Sequence, residues 1–269
     1  MSNPFVSRVG GVLSADIAVP DHERVTQFYS RVLSTGDSPL WREDLMNNHG
    51  IPVVGVGART PEYAELPLQW MPHIQVDDIA TSVARALDLG ATELIHGKDD
   101  NGNSQWAVLL DPDGAAFGLV PILPSEMLPP QLDDSQQNAG ESVGCIAWLD
   151  LTVSNASAAC NFYKNVVGWS VEEVEMTEGI SEGEESYADY NMLGGDGNPA
   201  AGVCHARGTN LGAPPVWMLY LPVGDLAESV RRVSEEGGTV TKAQTGSDGE
   251  YSYVTVQDPA GAYITLARG

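Results

Sequence analysis

The chain has 269 residues, of which 42% are hydrophobic and 19% are charged. This composition is typical of a folded globular protein, it excludes disordered and collagen-like chains, and the length suggests two domains. The 37 Asp and Glu residues outnumber the 13 Lys and Arg residues, which leaves a formal net charge of -24. Such a charge repels a phosphate backbone and an anionic lipid surface, so we predict no nucleic-acid partner and no membrane partner.

The start of the chain, MSNPFVSRVGG, lacks a basic stretch followed by a long apolar core, and no run elsewhere approaches the roughly 18 apolar residues of a membrane span. We therefore expect a cytoplasmic protein. Cys145, Cys160 and Cys204 are odd in number and widely spaced, which argues against both a disulfide framework and a thiolate metal site. We expect them to be buried, inert thiols.

The sequence repeats itself at two levels. Residues 15–33, ADIAVPDHERVTQFYSRVL, match residues 149–167, LDLTVSNASAACNFYKNVV, and DPDGAAFGL from Asp111 matches DPAGAYITL from Asp258. A weaker repeat inside each half aligns ADIAVPD with PHIQVDD, and LDLTVSN with YLPVGDL. The chain therefore consists of four copies of one unit.

Each copy opens with alternating apolar residues, as at Ile17 and Val19, which predicts a strand with one buried face. An Asp or Asn follows, and then an amphipathic run that ends near a glycine; these are the N-cap and C-cap signals of a helix of about three turns. Short β-like segments and a DPDG or DPAG turn complete the unit, which we predict to be βαβββ. The predicted helix starts are Asp21, Asp78, Asn155 and Asp225, and the ends lie near Gly36, Gly90, Gly168 and Gly237.

Two units make one predicted domain, so the first domain spans residues 1–122 and the second spans residues 143–269. Residues 123–142 between them are rich in proline and polar side chains without periodicity, which is typical of a linker. The second half is longer because of an extra acidic stretch, TEGISEGEES at 177–186, which we expect to be a solvated loop.

This pattern resembles the vicinal oxygen chelate (VOC) superfamily, which includes glyoxalases, bleomycin-resistance proteins and extradiol dioxygenases. The features that match are the opening strand, the helix that carries Phe-Tyr and ends near glycine, and the DPDG or DPAG turn before the final strand. The architecture is most similar to that of two-domain actinobacterial members. The resemblance implies an α+β fold in which four βαβββ units form two glyoxalase-like, cup-shaped domains, with the ligand on the concave face and the helices outside.

The two faces of the opening strands can be assigned from the residues themselves. The apolar parity, which includes Ile17 and Val19, must pack against the helices, because an amphipathic helix buries its apolar stripe on the adjacent sheet. The opposite parity then faces the cup, and it has the mixed polarity of a small-molecule pocket. Its members are Ser14, Asp16, Ala18, Met71, His73, Gln75, Trp148, Asp150, Thr152, Met218, Tyr220 and Pro222.

The resemblance also implies where a divalent metal ion would be held. VOC metalloenzymes use His, Gln or Glu from the opening strands and a carboxylate from the final strand. In this chain the corresponding positions hold Ser14, Met71, Trp148 and Met218 on the opening strands and Gly118 and Thr265 on the final strands. We therefore predict no metal and no other cofactor.

Asp16 and His73 are the strongest candidates for chemistry, since they occupy equivalent places on two cup-facing strands. A carboxylate beside an imidazole can act as a base-and-orienter pair in proton transfer. Two other interpretations stay open: the pair holds an unorthodox metal ion, or Asp16 only hydrogen-bonds its neighbours while His73 lines the pocket. The equivalent pair in the second domain is Asp150 and Tyr220.

The remaining candidates lie mostly in the second domain. Trp148 is expected to face the second cup, where its indole can stack on a flat ligand. His205 and Tyr263 are expected to line the same cup. Outside the cups we expect Trp70 and Trp217 in the core and His22, His49 and His96 at the surface.

The sequence therefore predicts a metal-independent protein that binds a small organic molecule of aromatic or polyketide-like character. It leaves open whether the protein is an enzyme. The first hypothesis is a tailoring enzyme of secondary metabolism that performs isomerisation, cyclisation or dehydration, with Asp16 or His73 moving the proton. The alternatives are a drug-sequestering or carrier protein without catalysis, and a metal-dependent dioxygenase or glyoxalase-like lyase; a homodimer is also left open.

Overall fold

The computed structural model describes residues 7–36, 53–124, 126, 145–176 and 186–269. Within these ranges each half of the chain contributes its own sheet and its own pair of α-helices. The elements of the N-terminal half are β1 (Val12–Val19), α1 (His22–Leu33), β2 (Val54–Ala58), β3 (Met71–Val76), α2 (Ile79–Asp88), β4 (Thr92–Lys98), β5 (Ser104–Leu110) and β6 (Ala116–Pro121).

The C-terminal half repeats this order with a complete set of strands. Its elements are β7 (Trp148–Val153), α3 (Ala156–Val167), β8 (Ser170–Met176), β9 (Tyr187–Leu193), β10 (Pro199–His205), β11 (Trp217–Val223), α4 (Leu226–Glu235), β12 (Thr239–Thr245), β13 (Tyr251–Gln257) and β14 (Tyr263–Arg268). The predicted α+β fold of βαβββ units is confirmed, and units two to four show every element.

The first unit shows its opening strand β1, its helix α1 and its closing strand β2, and residues 37–52 between the last two lie outside the described residues. Most of the predicted linker at 123–142 and of the predicted loop at 177–186 lie outside them as well. The positions at which the first domain ends and the second begins therefore remain predictions from the sequence.

In each half, two units join through their opening strands. The N-terminal sheet has the order β2-β1-β3-β6-β5-β4, and the C-terminal sheet has the order β12-β13-β14-β11-β7-β10-β9-β8. The two opening strands pair antiparallel at the centre, β1 with β3 and β7 with β11. The closing strand of each unit pairs in parallel with the opening strand of the same unit, as β6 does with β3. Candidate site residues from two units thus meet on neighbouring strands.

Each helix begins at the predicted cap. The side chains of Asp21, Asp78, Asn155 and Asp225 each accept a hydrogen bond from the backbone N–H three residues further on. Helix α3 ends at Gly168, whose φ of +89° lies in the left-handed region that an L side chain rarely adopts. The local sequence therefore fixes where the helices start, and at Gly168 where one stops.

The apolar face of each opening strand packs into the core, as predicted. Ile17 and Val19 on β1 are at most 1% exposed. The equivalent residues of the other three opening strands are also buried: Ile74, Val76, Leu151, Val153, Leu221 and Val223. Among the helices, α1 packs against α4 and α2 against α3, so the helix layer joins the two halves.

A buried chain of hydrogen bonds connects the first unit to the last. The Tyr29 hydroxyl on α1 donates to Asp258 Oδ2 at 2.9 Å, and the indole N–H of Trp70 donates to the Tyr29 oxygen at 3.1 Å. Asp258 is the first residue of the DPAG turn, and its Oδ1 accepts three backbone N–H bonds of that turn. The tyrosine of one half therefore holds the turn that precedes β14 in the other half.

An equivalent series of hydrogen bonds occurs with the roles of the two halves exchanged. The Tyr163 hydroxyl on α3 donates to Asp111 Oδ2 at 2.9 Å, and Trp217 Nε1 donates to the Tyr163 oxygen at 2.9 Å. Asp111 begins the DPDG turn before β6. These contacts explain why the Phe-Tyr and DPxG motifs recur together, and they confirm Trp70 and Trp217 as core residues, at 1% and 0% exposure.

The cysteines are free thiols, with Cys145 and Cys160 buried and Cys204 half-buried. Burial raises the pKa of both Cys145 and Cys160 to about 12, so these thiols stay protonated and unreactive at neutral pH. None of the helices in the described part of the chain is long and apolar enough to cross a membrane.

We expect Tyr29→Phe and Tyr163→Phe each to lower the free energy of unfolding by about 1–3 kcal/mol, because each removes the central link of a buried chain. Tyr190→Phe is the control, since Tyr190 bonds Ser157 at the exposed surface of a single half. Urea unfolding followed by circular dichroism measures all three. If Tyr29→Phe and Tyr163→Phe lower the free energy of unfolding no more than Tyr190→Phe does, the buried contacts do not stabilise the fold as expected.

Candidate functional site

The sheet of the N-terminal half curves around a cavity of about 540 Å³. Its wall combines residues of all six strands, β1 to β6, with the segment that follows β2. Two polar groups, Asp16 and His73, lie in a wall that is otherwise largely apolar and aromatic. The main apolar side chains of the wall are Tyr63, Leu66, Met71, Ile95, Trp106 and Val108.

The structure brings Asp16, His73 and Ser14 together on β1 and β3. Ser14 lies opposite His73 in the antiparallel register, and Asp16 lies opposite Met71. Ser14 Oγ is 2.9 Å from His73 Nδ1, and His73 Nε2 is 3.5 Å from Asp16 Oδ2. The Asp16 side chain is 55% exposed and the His73 side chain 21% exposed, so the carboxylate is open to a ligand while the ring is mostly enclosed.

Burial lowers the pKa of His73, and the nearby Asp16 carboxylate opposes this shift only in part. The imidazole is therefore neutral near pH 7 and able to accept a proton. In the tautomer whose Nδ1–H donates to Ser14 Oγ, Nε2 carries the free lone pair and lies beside Asp16. A proton taken up at Nε2 would then sit next to a carboxylate that stabilises the imidazolium.

Glycines on the neighbouring strands make room for the polar and aromatic side chains of the cavity. A Cβ at Gly55 would lie 2.2 Å from Asp16 Oδ1, and one at Gly118 would lie 2.8 Å from His73 Cδ2. A Cβ at Gly97 would lie 2.4 Å from the indole of Trp106. Each of these side chains thus lies over a glycine, where a Cβ would force it to shift.

Tyr63 and Trp106 also line the cavity, and neither was among the predicted site residues. Trp106 alternates along β5 with Ala107 and Leu109, which are at most 1% exposed and face the core. This alternation within SQWAVLL was the signal that places Trp106 on the cup side. Tyr63 ends a short 3-10 turn at Pro61–Tyr63, outside any strand, so no periodicity indicated it.

In the C-terminal half, the equivalent positions are filled by side chains that bond to one another. The Trp148 indole N–H donates to Asp150 Oδ1 at 2.6 Å, and the Tyr220 hydroxyl also bonds Asp150. A Cβ at Gly202 would lie 2.2 Å from Asp150 Oδ1, as at the equivalent Gly55. The carboxylate of this cup is therefore committed to protein groups, whereas in the described part of the chain the Asp16 carboxylate contacts His73 at 3.5 Å and is otherwise exposed.

Burial raises the pKa of Asp150, and burial together with the Asp150 charge raises the pKa of Tyr220 and of Tyr253. Tyr220 is thus protonated at neutral pH and serves as a hydrogen-bond donor. Met218 and Tyr263 are half-buried, and the strand registers place both on the same face as Asp150 and Tyr220.

Three other predicted positions differ from expectation. Gln75 is 1% exposed and its Oε1 accepts from the Leu123 N–H at 3.0 Å, so it anchors the segment after β6. His205 occupies the register of Val153, on the core side, and its ring packs on Tyr187 and Tyr190. His96, expected at the surface, has a side chain only 10% exposed.

Local hydrogen bonds explain these placements. His96 Nε2 is 2.8 Å from Ser104 Oγ and Nδ1 is 3.0 Å from Glu93 Oε2, so its neighbours on the β4–β5 hairpin enclose the ring. His22 is exposed, as expected, with Nε2 2.8 Å from the Val56 carbonyl oxygen. His49 lies outside the described residues.

The chain belongs to the Glyoxalase-like domain family, whose model matches residues 13–120 and 147–267. The two matched segments correspond to the two halves of the repeat. The predicted membership of the VOC superfamily, with a repeated glyoxalase-like fold, is therefore confirmed.

Known proteins of similar sequence or structure agree with this assignment. CFP32 of Mycobacterium bovis, provisionally named as a glyoxylase, is 30% identical over 122 residues, which are 44% of this chain. The match spans 43% of CFP32, so the chain covers less than half the length of this curated relative. A protein of the same name from Mycobacterium tuberculosis matches equally.

Solved structures resemble the chain over most of its length. Homoprotocatechuate 2,3-dioxygenase from Brevibacterium fuscum, in complex with 3,4-dihydroxyphenylacetate, has a TM-score of 0.55 at 13% identity, with 98% of this chain and 82% of that chain covered. A variant of 4-hydroxymandelate synthase from Streptomyces coelicolor has a TM-score of 0.53 at 14% identity, with 97% and 94% covered. At these identities the likeness shows a shared fold.

The superfamily implies a divalent metal, and the described residues do not fit one. The Asp16–His73 pair offers one carboxylate and one imidazole, whereas protein sites for such ions use three or more donors. Within the described ranges, no three His, Cys, Asp or Glu side chains converge. The His73 ring also occupies the space that a ligand side chain at Gly118 would need.

We expect the imidazole of His73 to titrate below the ordinary value of about 6.5. Asp16→Asn is expected to lower this pKa further, because it removes the only charge that favours the imidazolium. Asp100→Asn, an exposed carboxylate on the β4–β5 hairpin, should leave it unchanged. NMR titration of the ring C–H resonances measures the shift, and assignment uses the spectrum of His73→Gln. A His73 pKa above 7 would contradict the burial argument.

Proposed function

We propose that the N-terminal cavity binds a small organic molecule and moves a proton on it without a metal ion. One observation carries the proposal: a neutral imidazole and an exposed carboxylate lie 3.5 Å apart in an otherwise apolar wall. A cavity of about 540 Å³ is the size of a pocket for a drug-sized ligand.

The shape and chemistry of the wall favour a flat, largely apolar ligand. Trp106 presents an indole that is 37% exposed, and Tyr63 and Met71 line the same cavity. Such groups stack on aromatic rings. The dioxygenase of similar fold holds 3,4-dihydroxyphenylacetate, whose aromatic ring supports an aromatic body for the ligand here.

In the proposed reaction, His73 Nε2 takes a proton from a C–H or O–H group of the ligand and returns it at a second position. Ser14 holds the ring through Nδ1, and Asp16 stabilises the imidazolium that forms in between. Isomerisation of this kind needs no oxidant or reductant, since the proton leaves and re-enters the same molecule. Cyclisation or dehydration of a polyketide-like intermediate of secondary metabolism would begin with the same proton transfer to His73; in a dehydration His73 then gives the proton to the departing hydroxyl, which leaves as water.

Sequestration without turnover is the second candidate. It is favoured by the composition of the wall, in which the described residues place one acid-base pair among apolar side chains. A binding protein would use that pair as hydrogen-bonding groups. The two candidates therefore share a ligand class and differ in whether His73 exchanges a proton with the ligand.

Hydrogen exchange on the probe 2-tetralone distinguishes the candidates, because this flat, uncharged ketone carries acidic C–H groups next to its carbonyl. We expect the protein to accelerate the replacement of these hydrogens by deuterium in D₂O, followed by NMR. His73→Gln should lower the accelerated rate by about 10²–10⁴-fold and change binding only a few-fold.

The controls for this experiment test the metal and the pair separately. Dialysis against a chelator should leave the exchange rate unchanged, and Asp16→Asn should lower it, because the imidazolium loses its stabilising charge. Binding of 2-tetralone without accelerated exchange would favour sequestration. Exchange that is lost on chelation and restored by a divalent ion would overturn metal independence.

A matched pair of glycine variants tests which half binds the ligand. In Gly55→Ala and Gly202→Ala the new Cβ meets the oxygen of Asp16 or Asp150 at the same 2.2 Å, so both variants must displace a carboxylate. We expect Gly55→Ala to weaken 2-tetralone binding about tenfold or more, since it rearranges the open cup. Gly202→Ala should leave binding intact. Calorimetric titration measures the affinity of each variant for 2-tetralone. If Gly202→Ala weakens binding and Gly55→Ala does not, the site lies in the C-terminal half.

A further inference from the structure

Asp16 is the one formally charged side chain among the described residues that line the N-terminal cavity, because burial keeps His73 neutral. Its side chain is 55% exposed. Within the described part of the chain, the ion pairs include no Lys or Arg partner for Asp16; its contact at that distance is the neutral His73. Among the described residues, the cavity therefore presents a negative charge that no Lys or Arg side chain pairs with.

Two cationic residues, Arg59 and Lys98, flank strands that form the wall. Arg59 follows β2 and its guanidinium donates to the Leu66 carbonyl oxygen at 2.6 Å. Lys98 ends β4 and is exposed. Neither lines the cavity, and neither forms an ion pair with Asp16 among the described residues.

The other groups of the wall suit a cation as well. The indole of Trp106 lies over Gly97 and lines the cavity together with Tyr63. The face of an aromatic ring attracts a cation through its quadrupole. The formal net charge of -24 adds a long-range field that draws cations toward the protein and repels anions.

We propose that the cavity selects a flat aromatic molecule carrying a protonated amine, and discriminates against a carboxylate of the same shape. The ammonium group pairs with Asp16 while the aromatic body lies against Trp106 and Met71. Asp16 is thus the specificity-determining residue, and His73 keeps its separate role in proton transfer. This inference rests on the proposed binding of a ligand in the N-terminal cavity.

Three probes of one shape test the selection: 2-(2-naphthyl)ethylammonium, the uncharged 2-(2-naphthyl)ethanol and the anion 2-naphthylacetate. Calorimetric titration at pH 7 and low ionic strength should rank their affinities cation, neutral, anion. We expect the cation to bind about tenfold or more tightly than the neutral probe. Raising the salt concentration should narrow the gap without closing it, because the pair is partly enclosed.

The variants separate charge selection from proton transfer. Asp16→Asn should bring the cation and the neutral probe to equal affinity, and Asp100→Asn, which removes the same charge at an exposed turn, should preserve the gap. His73→Gln should abolish exchange on 2-tetralone while the preference for the cation persists. If the neutral probe binds as tightly as the cation, the charge selection is overturned and the proposed binding function is not.

Two further outcomes would also overturn the proposal. If the anion binds as tightly as the cation, and Arg59→Gln removes that binding, then Arg59 rather than Asp16 sets the specificity. If none of the three probes binds while 2-tetralone does, the charge selection fails and the proposed binding function stands; if 2-tetralone does not bind either, both fail. Equal cation preference in the wild type and in Asp16→Asn would assign the preference to the general charge of the surface.

Discussion

The two halves of this molecule depend on a pair of buried tyrosine–aspartate contacts that run in opposite directions between them. Tyr29 reaches from α1 to Asp258, and Tyr163 reaches from α3 to Asp111. Burial raises the pKa of both tyrosines, so each hydroxyl keeps the proton that it donates. Each aspartate shapes the turn before a closing strand, β6 or β14, that lies beside the opening strand carrying His73 or Tyr220. The interface between the halves is therefore connected directly to the floor of each cup.

The two cups show how one frame supports two states. Asp16 and Asp150 occupy equivalent positions and lie over equivalent glycines, Gly55 and Gly202. In the C-terminal cup Trp148 and Tyr220 surround the carboxylate, so its hydrogen-bonding capacity is used inside the protein. In the N-terminal cup the smaller Ser14 replaces the indole, and an open cavity remains. The residues at the positions of Ser14 and His73 thus decide whether the carboxylate bonds to the protein or stays open to a ligand.

Most of the fold could be predicted because its signals are local and repeated. Caps, alternation and the fourfold repeat fixed the units, and strand parity brought Asp16 and His73 to one wall. The remainder depends on contacts that a single sequence does not encode locally. Tyr63 lies outside any strand, so no periodicity indicates it. The alternation in β5 gives the side of Trp106, but only the register shows that Gly97 lies next to its indole across the hairpin. Gln75 has the predicted parity, but its Oε1 accepts a hydrogen bond from the backbone N–H of Leu123, just after β6. For His205, the register places it opposite Val153, on the face away from the cup.

The reciprocal tyrosine–aspartate contacts also constrain how such a chain could have arisen. Each half contains one donor tyrosine and one acceptor aspartate in a turn. Both reach across to the other half, so a single half alone leaves both without a partner. Two copies of one half, related by a twofold axis, would satisfy both contacts at once. A homodimer of such a half would therefore be self-complementary at this interface, and joining its two copies into one chain would need no new contacts. After fusion the two cups are free to diverge, because the symmetry that forced them to be identical no longer holds.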